Sequence, residues 1–117
     1  MSLPMTTQQI GGWTVVQFTT ASLMDPLVLE QLSRELYRLI DAEDRRRIIL
    51  DFENVQYLSS QAIGIVMGMH NRLSRLKGSK LVLCSVGPRL QELIKLTRLD
   101  RLLTIKPSQR EAVNVGP

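Results

Sequence analysis

Apolar positions along the chain alternate between short continuous runs and stripes at helical spacing. The continuous runs are rich in β-branched and aromatic residues, which is typical of strands. A run with little polar interruption suits a strand buried on both faces of a parallel sheet. The predicted strands are WTVVQF at 13–18, RIILDF at 47–52, KLVLCSV at 80–86 and LLTI at 102–105, with a shorter one near Thr6–Ile10 that would pair with the first as a hairpin.

Between these strands, leucine and other apolar residues recur every three or four positions, which predicts amphipathic helices. Asp25 suits the N-cap of the first helix, and Pro26 suits its first position, where no backbone N–H is needed. Gly78 suits the left-handed position that closes the second helix. The predicted helices run from Pro26 into DAEDRRR (41–47), from about Ser60 to Lys77, from Pro88, and over 108–113 with Ser108 as cap.

Strands that alternate with helices predict an α/β fold with a mostly parallel sheet of four to five strands. Helices should cover both sides of that sheet, because its strands are apolar throughout. The 117 residues, of which 44% are hydrophobic, suit one domain spanning residues 1–117. We expect residues 1–5 to be disordered, or the initial Met-Ser-Leu to precede a natural start at Met5, and residues 114–117 to fray.

Net charge changes this picture little. The chain carries +4, with basic residues clustered in RRR at 45–47 and in RLSRLKGSK at 72–80. Such clusters invite a nucleic-acid interpretation, but the aromatic residues are scattered and form no stacking platform, so nucleic-acid binding is not expected. The start of the chain lacks the pattern of a signal peptide, and no apolar stretch could span a bilayer. We expect a cytoplasmic protein without membrane contact.

Enzymatic motifs are missing from the sequence, which contains no Walker loop, dinucleotide fingerprint, nucleophile elbow or zinc-protease helix. The single histidine, His70, lies about 15 Å along the predicted helix from Ser60, which is too far for a serine–histidine pair. Asp51 and Glu53 sit at a strand end without evident partners. One cysteine, Cys84, and one histidine make a zinc site improbable. We expect no catalysis, no cofactor and no metal.

Two adjacent serines, Ser59 and Ser60, stand where the second buried strand gives way to the second helix. One interpretation is purely structural, since serine is a preferred N-cap. The other is functional, because a helix N-terminus presents free N–H groups and a positive dipole end that favour a phosphate. The residues alone leave both open.

The stretch ILDFENVQYLSSQAIGIVMG, with the later KLVLCSVGPRLQELIKLTRLDRLLTI, resembles the STAS domain of bacterial anti-anti-sigma factors, also called anti-sigma factor antagonists. The resemblance runs from WTVVQF to SQREAV. It implies that a partner anti-sigma factor, which is also a serine kinase, phosphorylates a serine at the helix start. Unphosphorylated protein would bind this kinase and free the sigma factor.

Aligned on IGIVMG, the phosphoacceptor position of the family falls on Ser60, with Ser59 as the second choice. The aspartate that usually precedes it falls on Ser59, and the aspartate at the start of the first helix falls on Met24, next to Asp25. The resemblance implies a partner-binding surface made of Met24, Asp25, Tyr57, Leu58, Ser59, Ser60, Gln61 and Gly64. The lost acidic neighbour favours an alternative: a STAS adaptor module, never phosphorylated, within a larger signalling or transport complex.

Gln61, Gly64 and Gly68 are spaced to lie near one another on one side of the same helix, where small residues let another backbone come close. For Gly68 we expect the neighbour to be another helix of the domain. For Gly64 both a neighbour within the domain and a binding partner stay open.

Overall fold

The computed structural model describes residues 3–116; Met1, Ser2 and Pro117 lie outside the described residues. Its elements in chain order are β1 (Met5–Ile10), β2 (Trp13–Phe18), β3 (Ser22–Leu23), α1 (Pro26–Asp41), β4 (Arg47–Asp51), β5 (Tyr57–Leu58), α2 (Ser60–Leu73), β6 (Lys80–Cys84), α3 (Pro88–Leu96), a 3-10 turn (Leu99–Arg101), β7 (Thr104–Lys106) and α4 (Gln109–Val113). This α/β order confirms the predicted fold class.

Five strands form one sheet in the order β1-β2-β4-β6-β7, in which only the β1–β2 hairpin is antiparallel. The parallel part follows from the apolar runs: every residue from Ile48 to Asp51 and from Leu81 to Cys84 is buried. Strands buried on both faces need a cover on each side. The structure confirms this prediction.

One face of the sheet packs against α1, α2 and α3 and forms the main core. Buried leucines at helical spacing carry α1 into this core, namely Leu29, Leu32, Leu36 and Leu39. The opposite face has a smaller cluster in which Ala112 of α4 packs with Trp13, Ile49 and Val82. The indole N–H of Trp13 donates to the carbonyl of Val113 at 3.1 Å, which fixes α4 on that face.

Three predicted boundaries differ from the structure by two or more residues. The second helix ends at Leu73 rather than Lys77. The residues that follow form i→i+3 turns, and the Ser79 hydroxyl donates a hydrogen bond to the Leu73 carbonyl. The last strand begins at Thr104 rather than 102, because Leu102 still closes the 3-10 turn. Ser85 and Val86 lie beyond the end of β6; Ser85 has a positive φ of 57°, which strand backbone does not adopt.

The predicted disorder of residues 1–5 and fraying of residues 114–117 stay predictions, and two contacts oppose them. The Pro4 carbonyl accepts from Thr19 N–H at 2.9 Å, next to the first residue of β1. Near the other end, the Val115 carbonyl accepts from the Arg47 guanidinium at 2.9 Å.

Candidate functional site

A second, two-stranded sheet determines the geometry around the two serines. The short strands β3 and β5 pair in parallel, with Ser22 beside Tyr57 and Leu23 beside Leu58. The pairing continues beyond the strands, because the N–H of Ser59 donates to the Leu23 carbonyl at 3.1 Å. Residues 20–26 therefore lie against residues 56–61, and the loop before α1 lies beside the start of α2.

Ser59 is the N-cap of α2. It has extended backbone angles, φ −84° and ψ 167°, and its Oγ accepts from the N–H of Ala62 at 3.2 Å. The side chain is half-buried, and both its hydroxyl oxygen and its backbone N–H are engaged. The capping interpretation therefore applies to Ser59.

Ser60 is the first residue of α2 and is exposed. Within residues 3–116, its hydroxyl makes no hydrogen bond, unlike that of its neighbour. It stands where α2 presents backbone N–H groups without helical partners and the positive end of the helix dipole. A hydroxyl in this position is accessible to a phosphoryl-transfer enzyme, and the helix end would favour the product.

Met24 and Asp25 lie across from these serines at the entry to α1. Asp25 is its N-cap, and its carboxylate accepts from Leu27 N–H at 2.9 Å and Val28 N–H at 3.5 Å. That carboxylate is thus held against its own helix. The Met24 side chain has no such role and is 50% exposed. Gln61 connects the two helix starts, with its Nε2 donating to the Pro26 carbonyl at 3.5 Å.

Tyr57, Leu58 and Gly64 complete the set of residues that the family resemblance implied. Tyr57 is 43% exposed, whereas Leu58 is half-buried and packs against the main core. Gly64 is exposed, and a Cβ built on it would meet nothing within 4 Å. We call the exposed, uncharged residues Met24, Tyr57, Ser60, Gln61 and Gly64 the α2 entry face.

Gly68, one turn further along α2, is different. A Cβ at Gly68 would collide with the Tyr37 hydroxyl and ring of α1. The Tyr37 hydroxyl itself donates to the Ile65 carbonyl at 3.3 Å. The expectation that Gly68 serves a helix contact within the domain is confirmed, while Gly64 is left open toward solvent.

Sequence reasoning missed one side chain beside the α2 entry face. The Arg89 guanidinium, from the first turn of α3, lies over the Tyr57 ring at 5.0 Å from its centroid. This arrangement is a cation–π contact. The sequence pattern only indicates that Pro88 begins a helix; the proximity of Arg89 to Tyr57 follows from how α3 packs beside β5, which periodicity does not encode.

Asp51 was wrongly expected to lack partners. It is 2% exposed, its Oδ1 accepts from the N–H of Glu53 at 2.9 Å, and its Oδ2 accepts from the Gln109 amide at 2.8 Å. A buried carboxylate needs such donors. Gln109 is in α4, so these bonds fasten the last helix to the sheet, on the face opposite α2. The chain up to residue 116 therefore leaves the α2 entry face uncovered.

Other chemistry is limited in the described part of the chain. Residues 3–116 contain no group of three His, Cys, Asp or Glu side chains that could hold a metal ion. The same residues form no helix with the length and apolar character needed to cross a membrane. Burial, with Asp51 nearby, raises the pKa of the Cys84 thiol to about 11, so at neutral pH this group is a protonated core side chain rather than a nucleophile.

The sheet order and the adjacent starts of α1 and α2 define a small α/β domain in which the α2 entry face is exposed. The family model of the STAS domain matches residues 5–112, so the chain belongs to the STAS domain family. The resemblance predicted from the sequence is confirmed.

Relatives of the chain include anti-sigma factor antagonists. The "Putative anti-sigma factor antagonist BtrV" of Bordetella bronchiseptica is 29% identical over 83 residues, which cover 71% of this chain and 70% of that protein. An anti-sigma-factor antagonist (STAS) domain protein from Planctomyces limnophilus has the same fold, with TM-score 0.83, 21% identity and 93% of each chain covered. The Bacillus cell fate determinant SpoIIAA, solved in its phosphorylated form, has TM-score 0.72 and 19% identity, with 94% of this chain and 96% of that chain covered.

Proposed function

We propose that this protein is an anti-sigma factor antagonist: it binds an anti-sigma factor that is also a serine kinase, and phosphorylation of Ser60 ends the binding. The protein contributes no catalysis and no cofactor, and it acts in the cytoplasm. The observation that carries the proposal is the exposed Ser60 hydroxyl, which has no hydrogen-bond partner within residues 3–116 and stands among the uncharged side chains of the α2 entry face.

Phosphorylation would change the charge of this face and so weaken the binding of a docked partner. A phosphoserine carries about −1.5 to −2 charge at neutral pH. The free N–H groups of α2 would stabilise the phosphate, so the modification is compatible with the fold. A partner that had buried the neutral face would have to bury this dianion or dissociate.

Ser60 is a better phosphoacceptor than Ser59. The Ser59 hydroxyl oxygen caps α2 and its side chain is half-buried. Losing a serine cap costs about 1 kcal/mol of stability. Phosphorylation of Ser60 breaks no contact between described residues.

The first experiment incubates the protein with its cognate kinase and ATP, and then maps phosphate by mass spectrometry. Phosphate on Ser60 is expected. Absence of phosphate from both Ser60 and Ser59 would remove the switch while leaving a binding role intact. The Ser60→Ala variant should accept no phosphate at this position yet still bind the kinase.

The second experiment measures binding of the kinase to Ser60→Asp. This variant should lose its partner, because it places a charge in the α2 entry face. Gln8→Glu adds the same charge on the exposed edge strand β1 and is the matched control, expected to bind like wild type. Equal binding of Ser60→Asp and Gln8→Glu would contradict regulation through Ser60.

A second candidate function is a STAS adaptor module that is never phosphorylated and belongs to a larger signalling or transport complex. It is favoured by Ser59, which stands where the family resemblance implies an aspartate. An adaptor would bind its partner through the same face, would take up no phosphate, and would tolerate Ser60→Asp.

A further inference from the structure

The arginine triplet at 45–47 lines an open cleft of about 280 Å³ at the end of the molecule where β4 begins. The RRR motif has no part in the α2 entry face, which lies near the other end of β4. The cleft is lined by Gln9, Gly12, Thr14, Asp44, Arg45, Arg46, Arg47 and Gly78.

Arg46 and Arg47 are held in place but keep donors free. Arg46 donates from Nε to Asp44 at 3.0 Å and from Nη1 to the Lys77 carbonyl at 2.9 Å. Arg47 lies over the Trp13 ring, 4.2 Å from its centroid, and donates from Nη2 to the Val115 carbonyl. A guanidinium has five N–H donors, so these contacts fix the geometry without using all of them.

Two of the remaining donors are buried without a partner. Within residues 3–116, the Nε atoms of Arg45 and Arg47 are buried and make no hydrogen bond. A carboxylate oxygen of Glu43 lies 3.5 Å from the Arg45 Nε, which makes an ion pair but not a hydrogen bond. Both guanidinium groups therefore keep hydrogen-bonding capacity that no contact between described residues uses.

The charge of the cleft lining is unbalanced. Among the residues that line the cleft, three arginines face a single carboxylate, Asp44, which Arg46 already engages, while Arg45 pairs with Glu43 outside the lining. Like charges held this close repel one another, and an anion with several acceptor oxygens would relieve the repulsion. Arginine matches phosphate oxygens in geometry as well as in charge.

Two glycines keep the cleft open. Gly12 has φ +86°, and a Cβ there would lie 4.0 Å from the Arg47 guanidinium; Gly78 has φ +71°. Both conformations favour glycine, so side chains that would narrow the cleft are disfavoured at these positions. The volume falls just below the range of about 300–1,000 Å³ for pockets that hold drug-sized ligands. A phosphate-sized or diphosphate-sized group suits it better than a whole nucleotide.

We propose that the cleft formed by Arg45, Arg46 and Arg47 with Gly12 and Gly78 is a binding site for a diphosphate group, either as the free ion or as the terminal group of a larger molecule.

Isothermal titration calorimetry with inorganic diphosphate, at fixed ionic strength, tests this proposal. Gln9 lines the cleft and its neighbour Gln8 does not, so Gln9→Glu and Gln8→Glu make the same charge change on the same exposed strand. A carboxylate facing the anion should weaken binding about tenfold in Gln9→Glu, and screening should keep the effect of Gln8→Glu below about twofold.

A second pair of variants tests the arginines directly. Arg46→Gln should lose diphosphate binding, whereas Arg34→Gln, which removes a surface pair with Glu30, should not. Thermal unfolding of each variant without ligand confirms that it is folded. In wild type, the Nε–H resonances of Arg45 and Arg47 should shift on titration with diphosphate.

Titration with adenosine diphosphate distinguishes a site for the free diphosphate ion from a site for the terminal group of a larger molecule. Binding of both ligands with the same response to Gln9→Glu supports a site for the terminal group of a larger molecule; binding of inorganic diphosphate alone supports a site for the free ion. The proposal is overturned if wild type does not bind diphosphate or if Gln8→Glu weakens it as much as Gln9→Glu. Tighter binding of a DNA duplex than of diphosphate would overturn it too, and would restore the nucleic-acid interpretation of the basic cluster.

Discussion

At the scale of single residues, Gly64 and Gly68 lie one turn apart on α2 but have different surroundings. Alanine at Gly68 must displace the Tyr37 ring, which also stacks under the Arg72 guanidinium at 3.7 Å. Overpacking of this kind costs about 1–3 kcal/mol. We therefore expect Gly68→Ala to lower the free energy of unfolding in urea by that amount.

Gly64→Ala is the matched control for this prediction. The added methyl group meets nothing within 4 Å, and alanine is favoured over glycine in a helix by about 0.5–1 kcal/mol. Gly64→Ala should therefore raise the free energy of unfolding. If both variants were destabilised equally, the contact with Tyr37 would not be the cause. A Gly64→Ala variant that is more stable yet binds the kinase less tightly would show that the partner's backbone approaches this glycine.

At the scale of elements, the sequence predicted the structure correctly wherever a local residue pattern determines it. Apolar runs identified β2, β4 and β6, and the Asp25-Pro26 pair identified the start of α1. Such signals work because burial and capping act on residues close in the chain.

Elements held by distant contacts escaped prediction. Strands β3 and β5 have two residues each and exist only because they pair with each other. A two-residue run has no readable period, and its partner lies more than thirty positions away. The residues of the candidate site were named through the family resemblance, but their adjacency depends on this pairing. Arg89 and the Asp51–Gln109 bond were missed for the same reason.

Helix α4 provides a prediction at this scale. Its five residues are too few to form a stable isolated helix, so its contacts with the sheet must hold it. Gln109→Ala removes the donor to a buried carboxylate, which costs about 1–3 kcal/mol. We expect the free energy of unfolding in urea to fall by that amount. Hydrogen exchange of the backbone amides in α4 should become faster.

Arg110→Ala in the same helix is the control for Gln109→Ala. Arg110 is exposed. The hydrogen bond that it accepts from the Asn114 side chain uses the backbone carbonyl, which alanine retains. Its effect should stay within about 0.5 kcal/mol. Equal effects of the two substitutions would mean that helix propensity, and not the bond to Asp51, holds α4 in place.

At the scale of the whole molecule, the two proposed surfaces lie toward opposite ends of β4. The strand begins at Arg47 in the arginine cleft and ends at Asp51, from which the chain continues through β5 to Ser60. Five strand residues span about 13 Å. Within residues 3–116 no residue lining the cleft belongs to the α2 entry face.

This separation makes the two sites testable as independent units. Effects at sites more than about 10 Å apart usually add, unless a two-state element couples them. The central strands β2, β4 and β6 between them are buried on both faces and offer no evident second arrangement. We expect Ser60→Asp to abolish kinase binding without changing the affinity for diphosphate, and Gln9→Glu to do the reverse. The double variant should show both losses, each equal to that of its single variant.

Calorimetry of wild type, Ser60→Asp, Gln9→Glu and the double variant completes this double-mutant cycle. Diphosphate is added before the kinase in one series and after it in the other. Kinase binding that is the same with and without saturating diphosphate is the expected result. A change in kinase affinity that disappears in Gln9→Glu would contradict independence, because reciprocity then requires the kinase to alter diphosphate affinity by the same factor. Rigid transmission through β4 or β2 would be the first structural explanation, since each strand touches the cleft at one end and leads to the α2 entry face at the other.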